Sequence, residues 1–244
     1  MEMIPQSIKS NIDNLTSLWR VTSGAHLNAD ARYDHCFVPF SQWPNRLWFR
    51  NKPTKDDLAQ ARKVLASMPD GMIVPSWEIY GESMRPEFET AGFEKLFSQI
   101  GMSMPVPETT PTVPDIVLRP VRNETDAKLW CDFFEESFGY RIGENILAHT
   151  WNDVSYYLVF QDSIPSGCLL LHFSGDTVGF HAMGITKTMR KKGIAEKAMW
   201  IGLETAKQKG STLATLQASD MGKGVYERIG FKSEFVMDNF KTRE

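Results

Sequence analysis

Apolar residues in the second half of the chain alternate between two spacings. Short apolar runs typical of β-strands alternate with longer runs in which apolar residues recur every three or four positions, as on a helix. One of these helical runs, 124–139, has five apolar residues near helical spacing: Ala127, Leu129, Trp130, Phe133 and Phe134. The predicted strands are 115–121, 154–162, 166–175, 176–185, 211–219 and 231–240, and the predicted helices are 124–139, 144–151, 195–210 and 223–230. Strands interleaved with helices predict a layered α+β fold, with a mixed β-sheet flanked by helices.

A proline-rich stretch divides the chain. Residues 102–115 carry four prolines among threonines, a composition that cannot continue a helix and that suits a linker. It predicts two domains, 1–110 and 111–244. In the first half the pattern predicts a strand at 46–50, a helix at 54–68, a strand at 71–81, and a short helix followed by a strand at 86–104.

Composition narrows the class of protein. The chain has 244 residues, 42% of them hydrophobic and 23% charged, which is enough to bury a sizeable core. Its formal net charge of −3 argues against a nucleic-acid partner. Three distant cysteines without Cys-x-x-Cys spacing predict neither a disulfide framework nor a zinc site. The start "MEMIPQSIKS" lacks signal-peptide features, and no apolar run reaches the ~20 residues of a membrane span, so we expect a soluble cytoplasmic protein.

The basic stretch "MRKKGIAEKAMW", residues 189–200, joins a predicted strand to a predicted helix. The first turn of a helix has unpaired N–H groups and a favourable dipole for anions. Gly193 has no Cβ, so a ligand can approach its backbone closely. Five cations lie within eleven residues, against the single acid Glu196: Lys187, Arg190, Lys191, Lys192 and Lys197. The stretch predicts a phosphate site; the alternative is a solvated basic turn before a helix.

Several motifs resemble those of the GNAT superfamily of N-acetyltransferases. "RKKGIA", Arg190-x-x-Gly193-x-Ala195, is similar to the family's pyrophosphate loop, and "FHAMGITKTM" before it is similar to the fourth strand. "LATLQASDMGKGVYERIGFK" resembles the fifth strand, the following helix and the closing strand, including Tyr226, Gly230 and Phe231. The resemblance covers about residues 115–240, and it implies the GNAT acyl-CoA transferase fold.

The resemblance implies acetyl-CoA as acyl donor. Its pyrophosphate would lie on the backbone N–H groups of a five-residue loop, with the side chain of Arg190 reaching the phosphates. The implied loop residues are Lys191, Lys192, Gly193, Ile194 and Ala195. The pantetheine arm would run beside the fourth strand, where Met183 and Ile185 would offer backbone partners. Gly184 fits a bulge that opens the sheet there, or is a glycine tolerated at a strand end.

Two side chains are candidates for catalysis. By the resemblance, Tyr226 is the acid toward the sulfur of CoA; the alternative is a tyrosine that packs beside Phe231. His181 lies on the implied fourth strand, and its imidazole suits a base that takes a proton from an ammonium. The family's arylalkylamine acetyltransferases have a second histidine where this chain has Gly179, so a buried structural histidine is the alternative. Glu135 and Glu136 are weaker candidates.

The first half contains an echo of the second. "FETAGFEKLFSQIGMSM" resembles "YERIGFKSEFVMDNF", which suggests a degenerate second GNAT-like copy; convergent helix–strand packing is the alternative. This copy lacks a phosphate loop, so we expect that it binds no cofactor and that it has a structural role or forms a wall of the acceptor site.

From the motifs of the second half, we predict an N-acetyltransferase that moves an acetyl group from acetyl-CoA to a primary amine of a small molecule or peptide by direct attack. The alternatives are a catalytically silent acetyl-CoA sensor or scaffold, and an interaction protein without cofactor.

Overall fold

The computed structural model describes residues 4–243. The helices are α1 (Gln6–Ser23), α2 (Lys55–Leu65), α3 (Arg85–Thr90), α4 (Glu124–Phe138), α5 (Glu144–Thr150), α6 (Ile194–Gln208) and α7 (Asp220–Ile229). The strands are β1 (Leu27–Ala29), β2 (Tyr33–Cys36), β3 (Arg46–Phe49), β4 (Val74–Trp77), β5 (Phe93–Pro105), β6 (Ile116–Pro120), β7 (Ser155–Gln161), β8 (Ile164–Ser174), β9 (Thr177–Ile185), β10 (Leu213–Ala218) and β11 (Lys232–Thr242). Every predicted element is confirmed within a few residues. Helix α1 and strands β1 and β2 are additional to them.

Local signals fix several of these boundaries. The side chain of Asn123 accepts a hydrogen bond from Asp126 N and starts α4, and Gly139 ends it with a φ of 78°. Gly230 ends α7 with a φ of 118°. Such left-handed positions favour glycine because an L side chain is strained there. Helices α4 and α7 therefore stop where the next turn needs a residue without a Cβ.

An eight-stranded mixed sheet organises the molecule. Its strand order is β4-β11-β5-β10-β9-β8-β7-β6, and β1, β2 and β3 form a separate three-stranded sheet. Within the described part of the large sheet, β9 and β10 pair in parallel and the other neighbouring strands are antiparallel. The mixed sheet flanked by helices confirms the predicted fold class.

The first half repeats the element order of the second. The series β3-α2-β4-α3-β5 corresponds to β9-α6-β10-α7-β11. A parallel bridge between Arg46 and Ile73 joins β3 to β4, as β9 pairs with β10. Both closing strands carry an irregularity four residues after their glycine, at Leu96 and Glu234. The repeat confirms that the N-terminal half is GNAT-like.

The two halves exchange their closing strands. Strand β5 of the first half pairs with β10 of the second, and β11 of the second half pairs with β4 of the first. The two exchanged strands also pair with each other, as the second and third strands of the sheet. The predicted division into 1–110 and 111–244 stays a prediction, and the proline-rich segment that motivated it follows β5 directly.

The helices cover both faces of the large sheet. Helices α1, α4 and α5 bury Leu18 and Trp130 against Leu170, whereas α6 buries Leu203 with Leu169 and Phe231 on the opposite face. Leu169 and Leu170 of β8 thus pack on opposite faces of the sheet, because successive side chains of a strand alternate between its two faces. Among residues 4–243, no helix is long and apolar enough to cross a membrane.

Candidate active site

Strands β9 and β10 separate at their carboxyl ends. Their parallel pairing runs from Thr177 and Leu213 to Phe180 and Leu216, and within the described chain it does not continue beyond those residues. On the other edge of β9 a bulge places Ala182 and Met183 opposite one residue of β8, and Ala182 has a φ of 52°. The last five residues of β9 therefore lie beside an opening in the sheet.

The bulge lies before Gly184, and the expectation that Gly184 forms it is wrong. Gly184 pairs regularly with Cys168 of β8. A Cβ at this position would lie 2.7 Å from the side chain of Ser137 on α4. Glycine is needed there because strand and helix are in close contact.

The two residues expected to offer backbone partners lie at this opening. The side chains of Met183 and Ile185 pack against the apolar layer under α6. The carbonyl oxygen of Ile185 accepts a hydrogen bond of 3.0 Å from Arg190 Nε. Arg190 thereby ties the basic turn to the end of β9, and its other guanidinium nitrogens form no hydrogen bond among the described residues.

The turn before α6 exposes a row of backbone donors. Lys191 and Gly193 have left-handed φ values of 64° and 73°, and no side chain of the described residues caps the helix. Within residues 4–243, the N–H groups of Lys191, Lys192 and Gly193 donate no backbone hydrogen bond. The next N–H groups, beginning at Ile194 and Ala195, belong to the first turn of α6, which has no intrahelical acceptors. Successive N–H groups in this conformation form an anion-binding concavity.

Charge pairing leaves this turn strongly positive. Lys197 Nζ lies 2.6 Å from Asp115, and Glu196 is bound by Arg228 at 3.2 Å. The hydrogen bond from Lys197 lowers the pKa of the Asp115 carboxyl. The four remaining cations have no ion-pair partner in the part of the chain that the structure describes: Lys187, Arg190, Lys191 and Lys192. The predicted phosphate site thus combines free donors with uncompensated charge, and it fits the diphosphate of CoA.

The phenol of Tyr226 lies on α7, which follows β10 after Ser219. Its ring meets that of Phe231 edge to face, with centroids 6.1 Å apart. The hydroxyl has no hydrogen-bond partner among the described residues. Burial raises the pKa of Tyr226 to about 12, so the phenol is neutral and can donate a hydrogen bond at physiological pH.

His181 is held in a network under α1. Its Nε2–H donates to Asn14 Oδ1 at 3.2 Å. The amide nitrogen of Asn14 donates to the carbonyl of His172 at 3.0 Å and to Ser174 Oγ at 2.7 Å, which orients the oxygen toward His181. Gly179 makes this contact possible, because a Cβ there would lie 1.9 Å from Asn14 Oδ1.

Burial, together with the nearby His172, lowers the pKa of His181 to about 3. The imidazole is therefore neutral at pH 7 and is a weak acceptor for a proton from an ammonium. These contacts favour the alternative of a buried, hydrogen-bonded histidine, and the role of His181 as a base stays a prediction. The carboxylates of α4 have other partners: Glu136 accepts from Lys187 N at 2.7 Å, and Glu135 lies 3.4 Å from Arg141.

The corresponding helix of the first half begins differently. Thr54 and Asp57 form a capping box, in which the Asp57 carboxylate accepts from Thr54 N at 2.9 Å. The Thr54 hydroxyl in turn accepts from Asp57 N at 3.2 Å. An internal carboxylate thus takes the place that an external anion takes at an uncapped helix. This is a physical reason for the expectation that the first half binds no CoA.

Comparison with known proteins gives the family of the second half and the fold of the chain. Residues 123–231 match the model of the acetyltransferase (GNAT) family. No curated protein matches the chain significantly in sequence. A GCN5-related N-acetyltransferase from Kribbella flavida has 13% identity and a TM-score of 0.76, covering 98% of this chain and 97% of that one. One from Sphaerobacter thermophilus has 16% identity and a TM-score of 0.63, covering 86% and 76%.

A tandem GNAT protein from the clavulanic acid biosynthesis pathway is also similar in structure. It has 8% identity and a TM-score of 0.59, covering 85% of this chain and 77% of that one. At such identities these similarities concern the fold. Residues 123–231 of the chain form a GNAT acetyltransferase domain, and the enzyme class is that of an acyltransferase.

Proposed function

We propose that the chain transfers an acetyl group from acetyl-CoA to a primary amine by direct attack of the amine on the thioester. The observation that carries this proposal is the uncapped, positively charged start of α6 beside the opening between β9 and β10. Acetyl-CoA supplies an activated acyl group and a thiolate leaving group. The proposed binding groups are the backbone of Lys191, Lys192, Gly193, Ile194 and Ala195, the side chain of Arg190, and the backbone of Met183 and Ile185.

The proposed role of Tyr226 is to stabilise the departing sulfur. Its pKa of about 12 lies above the ~8.5 of a free thiol, so complete proton transfer in water would be uphill. Burial would also raise the pKa of the CoA thiol, so that the pKa values of the phenol and the thiol lie closer together. The Tyr226 hydroxyl then donates a hydrogen bond to the sulfur as negative charge develops on it.

The acceptor amine must be neutral when it attacks. The new carbon–nitrogen bond forms as the carbon–sulfur bond breaks, one amine proton leaves to solvent and the thiolate takes up one proton. His181 is neutral throughout, and its Nε2–H is engaged with Asn14. A rate limited by the neutral fraction of the amine rises with pH up to the pKa of the amine.

The alternative is a catalytically silent protein that binds acetyl-CoA as a sensor or scaffold. Isothermal titration with CoA and release of free thiol over a panel of primary amines separate the two. We expect one CoA per chain and amine-dependent thiol release. Binding without release for any amine would favour the sensor, and absence of CoA binding would overturn both.

A further inference from the structure

Arg46 on β3 is buried without a counter-ion. Its relative exposure is 7%, and within the described residues no Asp or Glu forms an ion pair with it. The nearby arginines differ, because Arg20 and Arg50 both bind the buried Asp34, at 2.6 and 2.5 Å. An uncompensated buried charge is costly, so its retention calls for an explanation.

One edge of the Arg46 guanidinium is left without a partner. Nη1 donates to the carbonyl oxygen of Pro44 at 3.1 Å, whereas Nε is buried and unbonded. Nη2 also forms no hydrogen bond among the described residues. The face of the guanidinium lies over the ring of Trp19, 5.2 Å from its centroid. Nε and Nη2 form the edge with which arginine holds a carboxylate through two parallel hydrogen bonds.

Arg46 lies on the side of the molecule that contains the bulge of β9. Trp19, over which the Arg46 guanidinium lies, and Cys168 belong to one apolar cluster, and Tyr140 and Ala182 pack against that cluster. The Cys168 thiol donates to the carbonyl oxygen of Ala182 at 3.4 Å. This shared cluster connects Arg46 to the strand beside which the acyl group is proposed to lie.

We propose that Arg46 receives the carboxylate of the acceptor, so that the acceptor class is an amine that also carries a carboxylate. The inference rests on the proposed function, because it places the reacting amine at the opening of β9. Trp19, stacked on Trp77 with centroids 6.1 Å apart, provides an aromatic wall beside the guanidinium. A free small carboxylate that is not part of the acceptor would satisfy the same chemistry, and the experiment distinguishes the two sources.

The test compares matched amines that differ in one group, such as an α-amino acid and its amide. Arg46→Met removes the charge at similar volume. Arg46→Lys keeps the charge but cannot form the two parallel hydrogen bonds of a guanidinium. Arg20→Met is the control, because Arg20 also lies over a tryptophan, Trp48, but is paired with Asp34. We expect Arg46→Met to lower the kcat/KM preference for the carboxylate member about 10- to 100-fold, the worth of a charged hydrogen-bond pair. Arg46→Lys should lose part of this preference, and Arg20→Met should keep all of it.

A second arm uses acetate as a probe in the wild-type chain. Competition of acetate with carboxylate-bearing amines, but not with their amides, supports the proposal. Equal losses for both members of a pair in folded Arg46 variants would overturn it, as would acetate binding without competition. If no amine is acetylated, the proposed function fails separately. Thermal-shift titration with acetate then tests Arg46 alone. Stabilisation of the wild type by acetate that Arg46→Met abolishes supports a carboxylate site at Arg46. Absence of any stabilisation of the wild type by acetate overturns the proposal.

Discussion

Alanine at Gly193 and alanine at Gly210 perturb the two ends of α6 in the same way. Both glycines have left-handed φ values, 73° and 80°, and an added Cβ meets nothing within 4 Å at either position. Each substitution therefore costs only backbone strain, about 1–2 kcal/mol. For a chain of this size that lowers Tm by about 2–8 °C, and we expect similar shifts for the two variants.

The two variants should differ in CoA affinity. Alanine at Gly193 either places a methyl group where phosphates approach or turns the backbone N–H away from them. Loss of one hydrogen bond to a charged group costs about 1.5–3 kcal/mol, or roughly 10- to 100-fold in Kd. Gly210 lies at the far end of the helix, so its variant should bind CoA like the wild type. Isothermal titration of both variants measures this, and equal Kd values would refute the proposed phosphate site.

Two further predictions concern protons. Tyr226→Phe should slow single-turnover acetyl transfer about 100-fold with nearly unchanged acetyl-CoA affinity, the effect of losing one hydrogen-bond donor to the charge that develops on the departing sulfur; a lower Tm with normal turnover would instead show a packing role. His172 and His181 have pKa values lowered to about 4 and about 3, whereas an unfolded histidine titrates near ~6.5. Because the unfolded chain binds more protons, the free energy of unfolding should fall as the pH drops below ~6.5, by about 2 kcal/mol per histidine between pH 7 and 5. Urea unfolding at both pH values checks this, and His172→Gln should remove about half of the slope; an unchanged slope contradicts it.

Local patterns predicted most elements, and α1 shows where they were insufficient. Ile8, Ile12, Leu15 and Trp19 have helical spacing, so a signal for this helix was present. Two fully buried asparagines interrupt the apolar face. Asn11 donates to the carbonyl of Met102, and Asn14 to that of His172, 91 and 158 residues away along the chain. Such partners exist only once the sheet has formed, and the sequence does not reveal them.

The exchange of closing strands is another feature outside local pattern. The echo between 88–104 and 226–240 predicted a repeat, but pairing of β5 with β10 is a contact between distant segments. The position of the bulge also differed from expectation, because Ala182 adopts a positive φ that glycine adopts more easily. Arg46 stands in the predicted strand 46–50, where the sequence alone shows neither its burial nor its lack of a counter-ion.

The central claim is that the start of α6 holds an acyl-CoA whose acyl group is passed to an amine. A time course of free thiol released from acetyl-CoA tests this claim most directly. It is measured without amine and with a panel of carboxylate-bearing and simple primary amines. We predict release that depends on the amine and that falls, at limiting acetyl-CoA, in parallel with the roughly 10- to 100-fold weaker CoA affinity of the Gly193→Ala variant. Acetyl-CoA that binds at this site and stays intact with every amine would contradict it.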